Sequence, residues 1–428
     1  MNNNQYLIPK IERPFNVELE LPGSKSIALR QLAMSALTEG TTTLEGVPVC
    51  DDTDAMLECL QRLGLSISQN NTTVTIIGPM NLVDDVAINP RMSGASTRLL
   101  IALAALRSGE TLIDGHESLR ARTNRPLVSA LQKLGCRIDS SDGHLPLAVR
   151  GPIQQTRSLS VDGSLSSQYI TALLLISCGI ANGEAIFEKI TIEGKLVSKP
   201  YIDITISEMG KRGISARWEG TRSISIDTSK GYEATNITIE GDATAASYGA
   251  SLACIHEGQI RFTNLGSSTH QGDYRFFEVL ERLGAGVTRD QSSTLIVGPR
   301  QLAAFGSIDM QDMPDVALTL IALAPLLNEE LSISGLSSLH HKECDRLECP
   351  ADEMLKMGIG VTTTSDSIHI QPTSVEKLND HKLATYHDHR MAMAFSLLGS
   401  KTGRITVDDK SVVDKTYPEY WSDYQKFL

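Results

Sequence analysis

The stretch LPGSKSIALRQLAMSAL, residues 21–37, passes from a small and polar opening into an apolar helical run, and five later stretches repeat this pattern. Ser, Asp and Gly before an apolar run are good helix-capping residues, because they satisfy unpaired N–H groups of the first turn. The sequence therefore predicts six helix starts. The five later openings are MSGASTRLLIALAAL (92–106), VDGSLSSQYITALLL (161–175), IEGDATAASYGASLA (239–253), DMQDMPDVALTLIALAPL (309–326) and YHDHRMAMAFSLL (386–398).

Amphipathic helices follow the openings, as in DDTDAMLECLQRLG (51–64), with apolar residues at three- and four-residue intervals. We call each repeat of this pattern, from its opening to the end of its amphipathic helix, a pass. Short β-rich runs such as TVTIIG (73–78) and IHIQP (368–372) lie between the passes. Each amphipathic helix ends at a Leu-Gly or similar pair, which we call a stop, and these stops recur at intervals of roughly 71 to 78 residues. The pattern predicts an α/β protein of repeated units that cover one another's apolar faces. The regularly spaced stops are Gly64, Gly135, Gly213, Gly284 and Gly358.

A chain of 428 residues is longer than a domain with a single hydrophobic core usually is, so two domains are expected. Three passes fall in residues 19–240 and three in 241–428, with no linker signature between them. The N-terminus lacks a signal pattern, and the longest apolar run is too short to span a bilayer. The seven cysteines form an odd set with no CxxC pair. We expect a soluble cytoplasmic protein with buried, reduced thiols.

The charge balance is 39 basic against 51 acidic residues, a net charge of −12, which argues against nucleic acid or an anionic membrane as a partner. Yet the basic residues gather at the openings and adjoining loops, where helix N-termini add positive potential. This arrangement favours binding of a small polyanion, although ordinary solvated charges are the plain alternative. These residues are Lys25, Arg30, Arg98, Arg120, Arg122, Lys342, Arg346, Arg390 and Lys415.

The first opening resembles the end of a phosphate loop but fails as one, because a Walker motif needs GxxxxGK[ST] and Ser24 separates Gly23 from Lys25. A Pro-Gly turn still places Lys25 and Ser26 at a helix start, with Arg30 one turn further along the same face. These residues predict an anion site without nucleotide specificity. In the third opening, three neutral donors form either a second anion site or a simple helix cap. They are Ser166, Ser167 and Gln168.

The fifth and sixth passes mix acids with cations. Asp315 follows Pro314 at a helix start, and the segment KECDRL brings Lys342, Glu343 and Arg346 within five residues. A carboxylate beside a lysine is suited to proton transfer, while arginine grips a carboxylate or phosphate bidentately. A metal site has no typical zinc spacing here, so no metal is predicted. The residues that such a site would use are His340, His341, Cys344, His387 and His389.

Several strings, in this order, resemble the EPSP synthase family from about Leu21 to Phe427. The resemblance implies two domains, each an inside-out α/β barrel of three βαβαββ repeats around a pseudo-threefold axis, with the active site in the cleft between them. The implied domains are residues 19–240, and residues 1–18 together with 241–428. The strings are LPGSKS, VDGSLSSQ, LVSKPYIDIT, EGDATAASY, QGDYRF, MPD, KECDRL and YHDHRMAM.

The reaction implied by the resemblance transfers the enolpyruvyl group of phosphoenolpyruvate to the 5-hydroxyl of shikimate 3-phosphate. It proceeds by addition and elimination through a tetrahedral intermediate, needs no cofactor, belongs to the shikimate pathway of aromatic amino acid biosynthesis, and is the target of glyphosate. An active site made within one chain gives no reason to require a dimer, so a monomer is expected.

Carried over position by position, the family's functional residues form three sets. The implied catalytic residues are Lys25, Asp315, Glu343 and His389. The implied shikimate 3-phosphate ligands are Lys25, Ser26, Arg30, Ser166, Ser167, Gln168, Ser198, Tyr201, Asp315, Ser338 and Lys342. The implied phosphoenolpyruvate ligands are Lys25, Gly94, Arg122, Gln168, Arg346, Arg390 and Lys415.

The chain departs from the family pattern at several substrate-facing positions. Ala28 and Leu29 replace a usual Ser-Asn pair, while Met92 and Ser338 each replace an Asn. These changes leave the implied acid, base and phosphate ligands in place but bear on substrate affinity and glyphosate sensitivity. Two other functions stay open at this point. One is a catalytically silent paralogue that binds a phosphorylated metabolite; the other is a UDP-N-acetylglucosamine enolpyruvyl transferase, although GHESLRARTNRP lacks that family's cysteine.

Overall fold

The computed structural model describes residues 4–181 and 185–428. Contacts within the chain divide it into two compact units. The N-terminal unit is Gly23–Ile239, and the C-terminal unit joins Met1–Pro22 to Glu240–Leu428. The chain therefore passes from one unit to the other twice.

The first passage between the units follows Pro22, whereas the sequence suggested a boundary before Leu19. Strand β2 (Asn16–Leu19), which follows β1 (Tyr6–Leu7), pairs in parallel with residues Gln259–Phe262 and sets Leu19 opposite Phe262. Both side chains are buried in the core of the C-terminal unit. Leu19 belongs to that unit because β2 completes one of its sheets, and Leu21 is buried in the same core.

The N-terminal unit alternates strands and helices along the chain. Its strands are β3 (Gly40–Glu45), β4 (Ser66–Asn70), β5 (Thr73–Gly78), β6 (Val86–Ile88), β7 (Thr111–Ile113), β8 (Arg137–Ser141), β9 (His144–Arg150), β10 (Ser158–Asp162), β11 (Lys189–Glu193), β12 (Ala216–Glu219), β13 (Ser223–Ile226) and β14 (Asn236–Thr238). Its helices are α1 (Lys25–Ser35), α2 (Asp51–Arg62), α3 (Gly94–Ala104), α4 (Glu117–Arg120), α5 (Arg125–Lys133), α6 (Ser167–Ile176) and α7 (Lys199–Gly210).

The C-terminal unit follows the same alternation. After β1 and β2, its strands are β15 (Gln259–Phe262), β16 (Gly286–Arg289), β17 (Thr294–Val297), β18 (Ser307–Asp309), β19 (Leu331–Ser334), β20 (Val361–Thr363), β21 (Ser367–Ile370), β22 (His381–Leu383) and β23 (Ile405–Val407). Its helices are α8 (Ala243–Ile255), α9 (Phe276–Arg282), α10 (Pro314–Leu323), α11 (Glu348–Met357), α12 (His389–Thr402) and α13 (Tyr420–Tyr424).

Each unit holds three mixed sheets within the described residues, and none of these sheets closes on itself. In β10-β11-β13-β12, the pair β10 and β11 is parallel and the other pairs are antiparallel. The register sets Ile190 between Leu159 and Ile224, all three buried, so one face of the sheet is an apolar ladder. The other strand orders are β14-β3-β5-β4, β6-β7-β9-β8, β2-β15-β17-β16, β18-β19-β21-β20 and β1-β23-β22.

The six helix starts predicted from the openings are confirmed. Helices α1, α3 and α6 contact one another in the N-terminal unit, as do α8, α10 and α12 in the C-terminal unit. These helices are buried on nearly every side, which is the environment that a helix apolar all round requires. Across the described residues, no helix has both the length and the apolar composition needed to cross a membrane.

The predicted stops also have the expected backbone conformation. The five regularly spaced glycines have φ between 83° and 102°, a region in which a side chain is strained. Glycine at these positions ends each amphipathic helix and turns the chain toward the next strand.

Candidate active site

Lys25 is the first residue of α1, and its side chain contacts a buried acid. Lys25 Nζ lies 2.9 Å from Asp52 Oδ2, and the Asp52 side chain is 3% exposed. Asp52 is the second residue of α2, so the starts of two helices hold this ion pair. Lys25 was predicted from the sequence, but Asp52 was not. Asp52 is one of three acids in the first turn of α2, and acids are common at a helix N-terminus.

Arg30 brings predicted residues of the first and third openings together. Its Nε donates to Thr205 Oγ1 at 2.9 Å, and its Nη2 donates to the Tyr201 carbonyl at 2.9 Å and to Thr171 Oγ1 at 3.4 Å. Its Nη1 donates to the Ser26 carbonyl at 2.5 Å. These partners are neutral. Burial lowers the pKa of Arg30 to about 10, so the guanidinium still carries its charge at neutral pH.

Gly94, the first residue of α3, lies against two guanidinium groups. Arg98 Nη1 donates to the Gly94 carbonyl at 2.9 Å. A Cβ at Gly94 would stand 2.6 Å from Arg98 Nη1 and 2.9 Å from Arg122 Nη1, so glycine lets both guanidinium groups stay where they are. Two arginines at one helix start suit an anion with several oxygens. Arg98 was not among the predicted site residues.

The starts of α6 and α7 carry the predicted neutral donors. The Ser166 hydroxyl caps α6 by accepting from the Gln168 N–H at 3.2 Å, and Ser167 is the buried first residue of that helix. The Tyr169 hydroxyl donates to the Thr123 carbonyl at 2.7 Å, which connects α6 to the loop that follows Arg122. Ser198, just before α7, has a φ of 55° and is buried.

In the C-terminal unit, the Asp315 carboxylate is surrounded by three cations. Its Oδ1 lies 3.4 Å from Lys342 Nζ and 3.4 Å from Arg346 Nη1, and its Oδ2 lies 3.2 Å from Arg390 Nη2. Asp315 is the second residue of α10, directly after Pro314. The acid of one helix start is thus in contact with cations from two other segments.

Arg346 joins two further acids. Its Nε and Nη2 lie 2.7 and 3.1 Å from the two oxygens of Asp388, and its Nη2 lies 2.8 Å from Glu343 Oε2. Glu343 Oε1 is 3.7 Å from Lys415 Nζ. Burial lowers the pKa of Arg346, but Asp388 and Glu343 raise it by more, and the net shift is upward.

Asp388 organises the start of α12. Its Oδ1 accepts from the Arg390 N–H at 2.9 Å and lies 3.5 Å from Nδ1 of the buried His389. Asp388 was not predicted to belong to the site, since an acid at a helix start is common. The predicted Ser338 lies in the short 3₁₀ helix Ser337–His341 directly before Lys342.

A second buried acid stands near Asp315. Asp273 forms a short hydrogen bond with the Thr244 hydroxyl, and it is 4% exposed. Burial, followed by the charge of Asp315, raises the pKa of Asp273 to about 6, although Thr244 and Arg390 oppose the shift. The sequence contained the string QGDYRF but offered no sign that its Asp would lie beside the fifth opening.

The histidines considered for a metal site have other neighbours. His340 Nδ1 lies 2.7 Å from Asp345 Oδ2, and His389 contacts Asp388. No group of three or more His, Cys, Asp or Glu side chains able to hold a metal ion occurs in residues 4–181 and 185–428.

Each unit therefore presents cations at the starts of its interior helices, and the C-terminal unit adds acids in contact with those cations. This combination defines an α/β enzyme class that binds small polyanions and moves protons. The family model described as EPSP synthase (3-phosphoshikimate 1-carboxyvinyltransferase) matches residues 9–424. The chain belongs to the EPSP synthase family, as the resemblance predicted.

Relatives of known name agree with this assignment. The chain is 32% identical over 430 residues to a 3-phosphoshikimate 1-carboxyvinyltransferase of Trichormus variabilis, covering 98% of each chain. It is 34% identical over 422 residues to the enzyme of that name from Mannheimia haemolytica, covering 96% of each. A solved EPSP synthase from Acinetobacter baumannii has the same fold, with a TM-score of 0.77, 24% identity, and coverage of 98% of this chain and 97% of the other.

Proposed function

We propose that this chain catalyses the reaction for which its family is named (EC 2.5.1.19). It transfers the enolpyruvyl group of phosphoenolpyruvate to the 5-hydroxyl of shikimate 3-phosphate and releases phosphate. The observation that carries this proposal is the contact of Asp315 with Lys342, Arg346 and Arg390. A protein that only bound anions would need the cations but would have no use for a carboxylate among them.

Shikimate 3-phosphate is assigned to the residues around Arg30. A guanidinium held by neutral partners keeps its charge for an anionic ligand, and the helix starts beside it add N–H donors. Asp315 and Lys342 are assigned to the reacting hydroxyl. The proposed ligands are Lys25, Ser26, Arg30, Ser166, Ser167, Gln168, Ser198, Tyr201, Asp315, Ser338 and Lys342.

Phosphoenolpyruvate is assigned to the second set of cations. Gly94 leaves room for Arg122, and Arg346 and Lys415 flank Glu343. A phosphate and a carboxylate on one small molecule match several guanidinium and ammonium groups. The proposed ligands are Lys25, Gly94, Arg122, Gln168, Arg346, Arg390 and Lys415.

The first chemical step is an addition that requires a base and an acid. Asp315 accepts the proton of the 5-hydroxyl as that oxygen attacks C2 of phosphoenolpyruvate. Glu343 donates a proton to C3. Glu343 Oε2 lies 2.8 Å from Arg346 Nη2 and its Oε1 lies 3.7 Å from Lys415 Nζ, and both cations are assigned to phosphoenolpyruvate, so Glu343 stands beside the substrate that it protonates.

The second step is an elimination in which the C2–O bond to phosphate breaks while a proton leaves C3, and Glu343, a carboxylate after the first step, takes that proton. The arginines, Lys415 and His389 stabilise the negative charge that develops on the leaving group, while Lys25 assists proton transfer at the bridging oxygen. No covalent enzyme adduct is involved.

Each unit is further proposed to be an inside-out barrel of three βαβαββ repeats. The shared strand order of the five four-stranded sheets, and the interior position of the opening helices, support that arrangement. Action as a monomer in the cytoplasm stays a prediction.

A phosphate-release assay tests the proposed function. The purified chain should release phosphate only when shikimate 3-phosphate and phosphoenolpyruvate are both present, with each omitted in turn as a control. Release with UDP-N-acetylglucosamine in place of shikimate 3-phosphate would assign the other enolpyruvyl transfer. If calorimetry shows that both substrates bind but no phosphate is released, the chain is a catalytically silent paralogue.

A further inference from the structure

A buried carboxylate outside the proposed substrate and catalytic sets connects two segments that carry members of those sets. Glu353 is the sixth residue of α11, the helix that follows KECDRL, and its side chain is 1% exposed. Its Oε1 lies 2.6 Å from Lys356 Nζ and accepts from the Tyr386 hydroxyl at 2.8 Å. Its Oε2 lies 2.6 Å from His381 Nε2 and accepts from the Ala384 N–H at 3.1 Å. Burial raises the pKa of Glu353, but these four donors lower it by more, so the group is a carboxylate at neutral pH.

Three of the four donors come from residues 381–386, the segment that leads into α12. A second carboxylate holds the same segment, because the Thr385 N–H and hydroxyl donate to Asp408 Oδ1 at 3.0 and 2.7 Å. The Thr385 carbonyl in turn accepts from the Asp388 N–H at 2.8 Å. The turn before α12 is therefore attached to the rest of the C-terminal unit by two acids, Glu353 and Asp408.

The backbone of this turn has a conformation that a side chain disfavours. Tyr386 has a φ of 52° and His387 a φ of 56°, so two consecutive residues other than glycine lie in the left-handed region. Such residues persist only where the surrounding structure holds them. His387 is exposed, whereas the Tyr386 hydroxyl is bonded to the buried Glu353. The bond to Glu353 is thus a restraint on the strained turn, and the turn directly precedes Asp388.

The position of Asp388 affects residues that are assigned to the reaction. Its carboxylate accepts from Arg346 Nε at 2.7 Å and Nη2 at 3.1 Å, and it caps α12 at the Arg390 N–H. Arg390 Nη2 lies 3.2 Å from Asp315 Oδ2. Both arginines are proposed ligands of phosphoenolpyruvate. A continuous series of contacts therefore runs from Glu353 through the turn to the cations of that substrate.

We propose that Glu353 is a positioning residue for phosphoenolpyruvate, acting through Tyr386 and the turn before α12. Its carboxylate holds the turn in the strained conformation, the turn fixes Asp388, and Asp388 sets the two arginines. Glu353 itself is assigned no contact with a substrate or with the reacting atoms. The effect on phosphoenolpyruvate rests on the proposed function, whereas the restraint of the turn does not.

Two single variants separate positioning from plain stabilisation of the fold. Tyr386→Phe removes the hydroxyl that ties the turn to Glu353 Oε1, while Lys356→Met, the matched control, removes the other partner of that oxygen and leaves the turn attached. In Tyr386→Phe, kcat/KM for phosphoenolpyruvate should fall by about 10- to 100-fold, because a misplacement of about 1 Å can cost roughly 100-fold. The KM for shikimate 3-phosphate should stay unchanged, and Lys356→Met should keep every constant.

Several kinetic results would overturn the proposal. They are equal losses in the two variants, a rise of KM for both substrates in Tyr386→Phe, and constants of Tyr386→Phe that match those of the unaltered chain. Glu353→Gln weakens the bonds of all four donors and should show the same split between the substrates at least as strongly. If that variant does not fold, Tyr386→Phe still decides between the outcomes.

Hydrogen–deuterium exchange followed by mass spectrometry tests the restraint without activity. The N–H groups of Ala384, Asp388 and Arg390 are all hydrogen-bonded in and around the turn. Peptides that cover residues 384–390 should exchange faster in Tyr386→Phe than in the unaltered chain or in Lys356→Met. Unchanged exchange in Tyr386→Phe would overturn the proposal whatever its kinetics. Faster exchange in a chain that has no turnover even when unaltered would support the restraint and count against the proposed function alone.

Discussion

Arg30 and Arg346 are both buried guanidinium groups near helix starts, yet they have opposite kinds of partners. Arg30, in the N-terminal unit, donates to two hydroxyls and two backbone carbonyls. Arg346, in the C-terminal unit, contacts three carboxylates, those of Asp315, Glu343 and Asp388. The same side chain is therefore used in two different electrostatic settings.

The difference separates binding from proton transfer. Burial lowers the pKa of Arg30 to about 10, and its positive charge remains available to an anionic ligand. For Arg346, burial is outweighed by Asp388 and Glu343, which raise the pKa, and its charge is balanced by acids that it holds in place. We infer that the N-terminal unit chiefly fixes an anionic substrate and that the C-terminal unit chiefly handles protons.

Removing the acid at Asp315 gives the strongest test of that difference. Asp315→Asn keeps the shape of the side chain and one of its two oxygens, but the amide cannot accept the proton of the hydroxyl. We expect kcat to fall by about 10²- to 10⁴-fold, because general-base catalysis contributes on that order. Shikimate 3-phosphate binding, measured by calorimetry, should persist, since most of its proposed ligands, Arg30 among them, lie in the N-terminal unit.

Asp312→Asn is the matched control for this prediction. Asp312 lies three residues earlier, and it is half exposed and 3.8 Å from the exposed Arg275. This variant should keep the turnover of the unaltered chain. If Asp315→Asn keeps its kcat as well, the base lies elsewhere and the division between the units fails.

Arg30→Gln tests the binding side of the comparison. Loss of the charge should raise the KM for shikimate 3-phosphate by about 10- to 100-fold with a much smaller change in kcat, because a charged hydrogen bond contributes about 1.5–3 kcal/mol. Steady-state kinetics with phosphoenolpyruvate saturating would measure both constants. An effect confined to kcat would contradict the assignment.

Arg212 offers a matched control in the same unit. It is buried, donates to the hydroxyls of Thr38 and Thr42 and to the Glu233 carbonyl, and burial lowers its pKa to about 10. It lies outside the proposed site. Arg212→Gln should therefore lower the free energy of unfolding much as Arg30→Gln does, by about 1–3 kcal/mol, without raising KM.

The elements of the fold were predictable where their signals are local. Helix starts and glycine stops follow from caps, periodicity and positive φ, as at Gly94 and Gly64. Strand partners were not predictable in this way. β14 pairs with β3 although nearly two hundred residues separate them, and β2 leaves its sequence neighbours for β15. Partner choice depends on burial across the sheet, which no single stretch of sequence records.

The site was predictable to the extent that its residues stand at helix starts with charges. The acids of the site were harder to predict, since Asp52, Asp273 and Asp388 each resemble ordinary helix-terminal residues. What distinguishes each of them is a partner distant along the chain, such as Lys25 for Asp52 and Arg346 for Asp388. Arg98 was counted among the cations at the openings but was not assigned to a substrate, because its neighbour Arg122 comes from a separate loop.

Asp273 gives the last and smallest test, because it is a buried acid of the same unit whose pKa is raised chiefly by burial. Burial and the charge of Asp315 raise its pKa to about 6 in the folded state, above the ordinary value of 3.8. The folded chain therefore binds more protons than the unfolded chain between these values. The resulting stability is complete below pH of about 4 and is lost as the pH rises through about 6.

Asp273→Asn mimics the protonated acid at every pH, and its amide oxygen still accepts from Thr244. The free energy of unfolding of this variant, relative to the unaltered chain, should rise as the pH goes from 4 to 7, at up to about 1.4 kcal/mol per pH unit. Urea unfolding at a series of pH values measures the trend. A difference that stays flat would contradict the prediction, because Asp273 would then titrate alike in the folded and unfolded states.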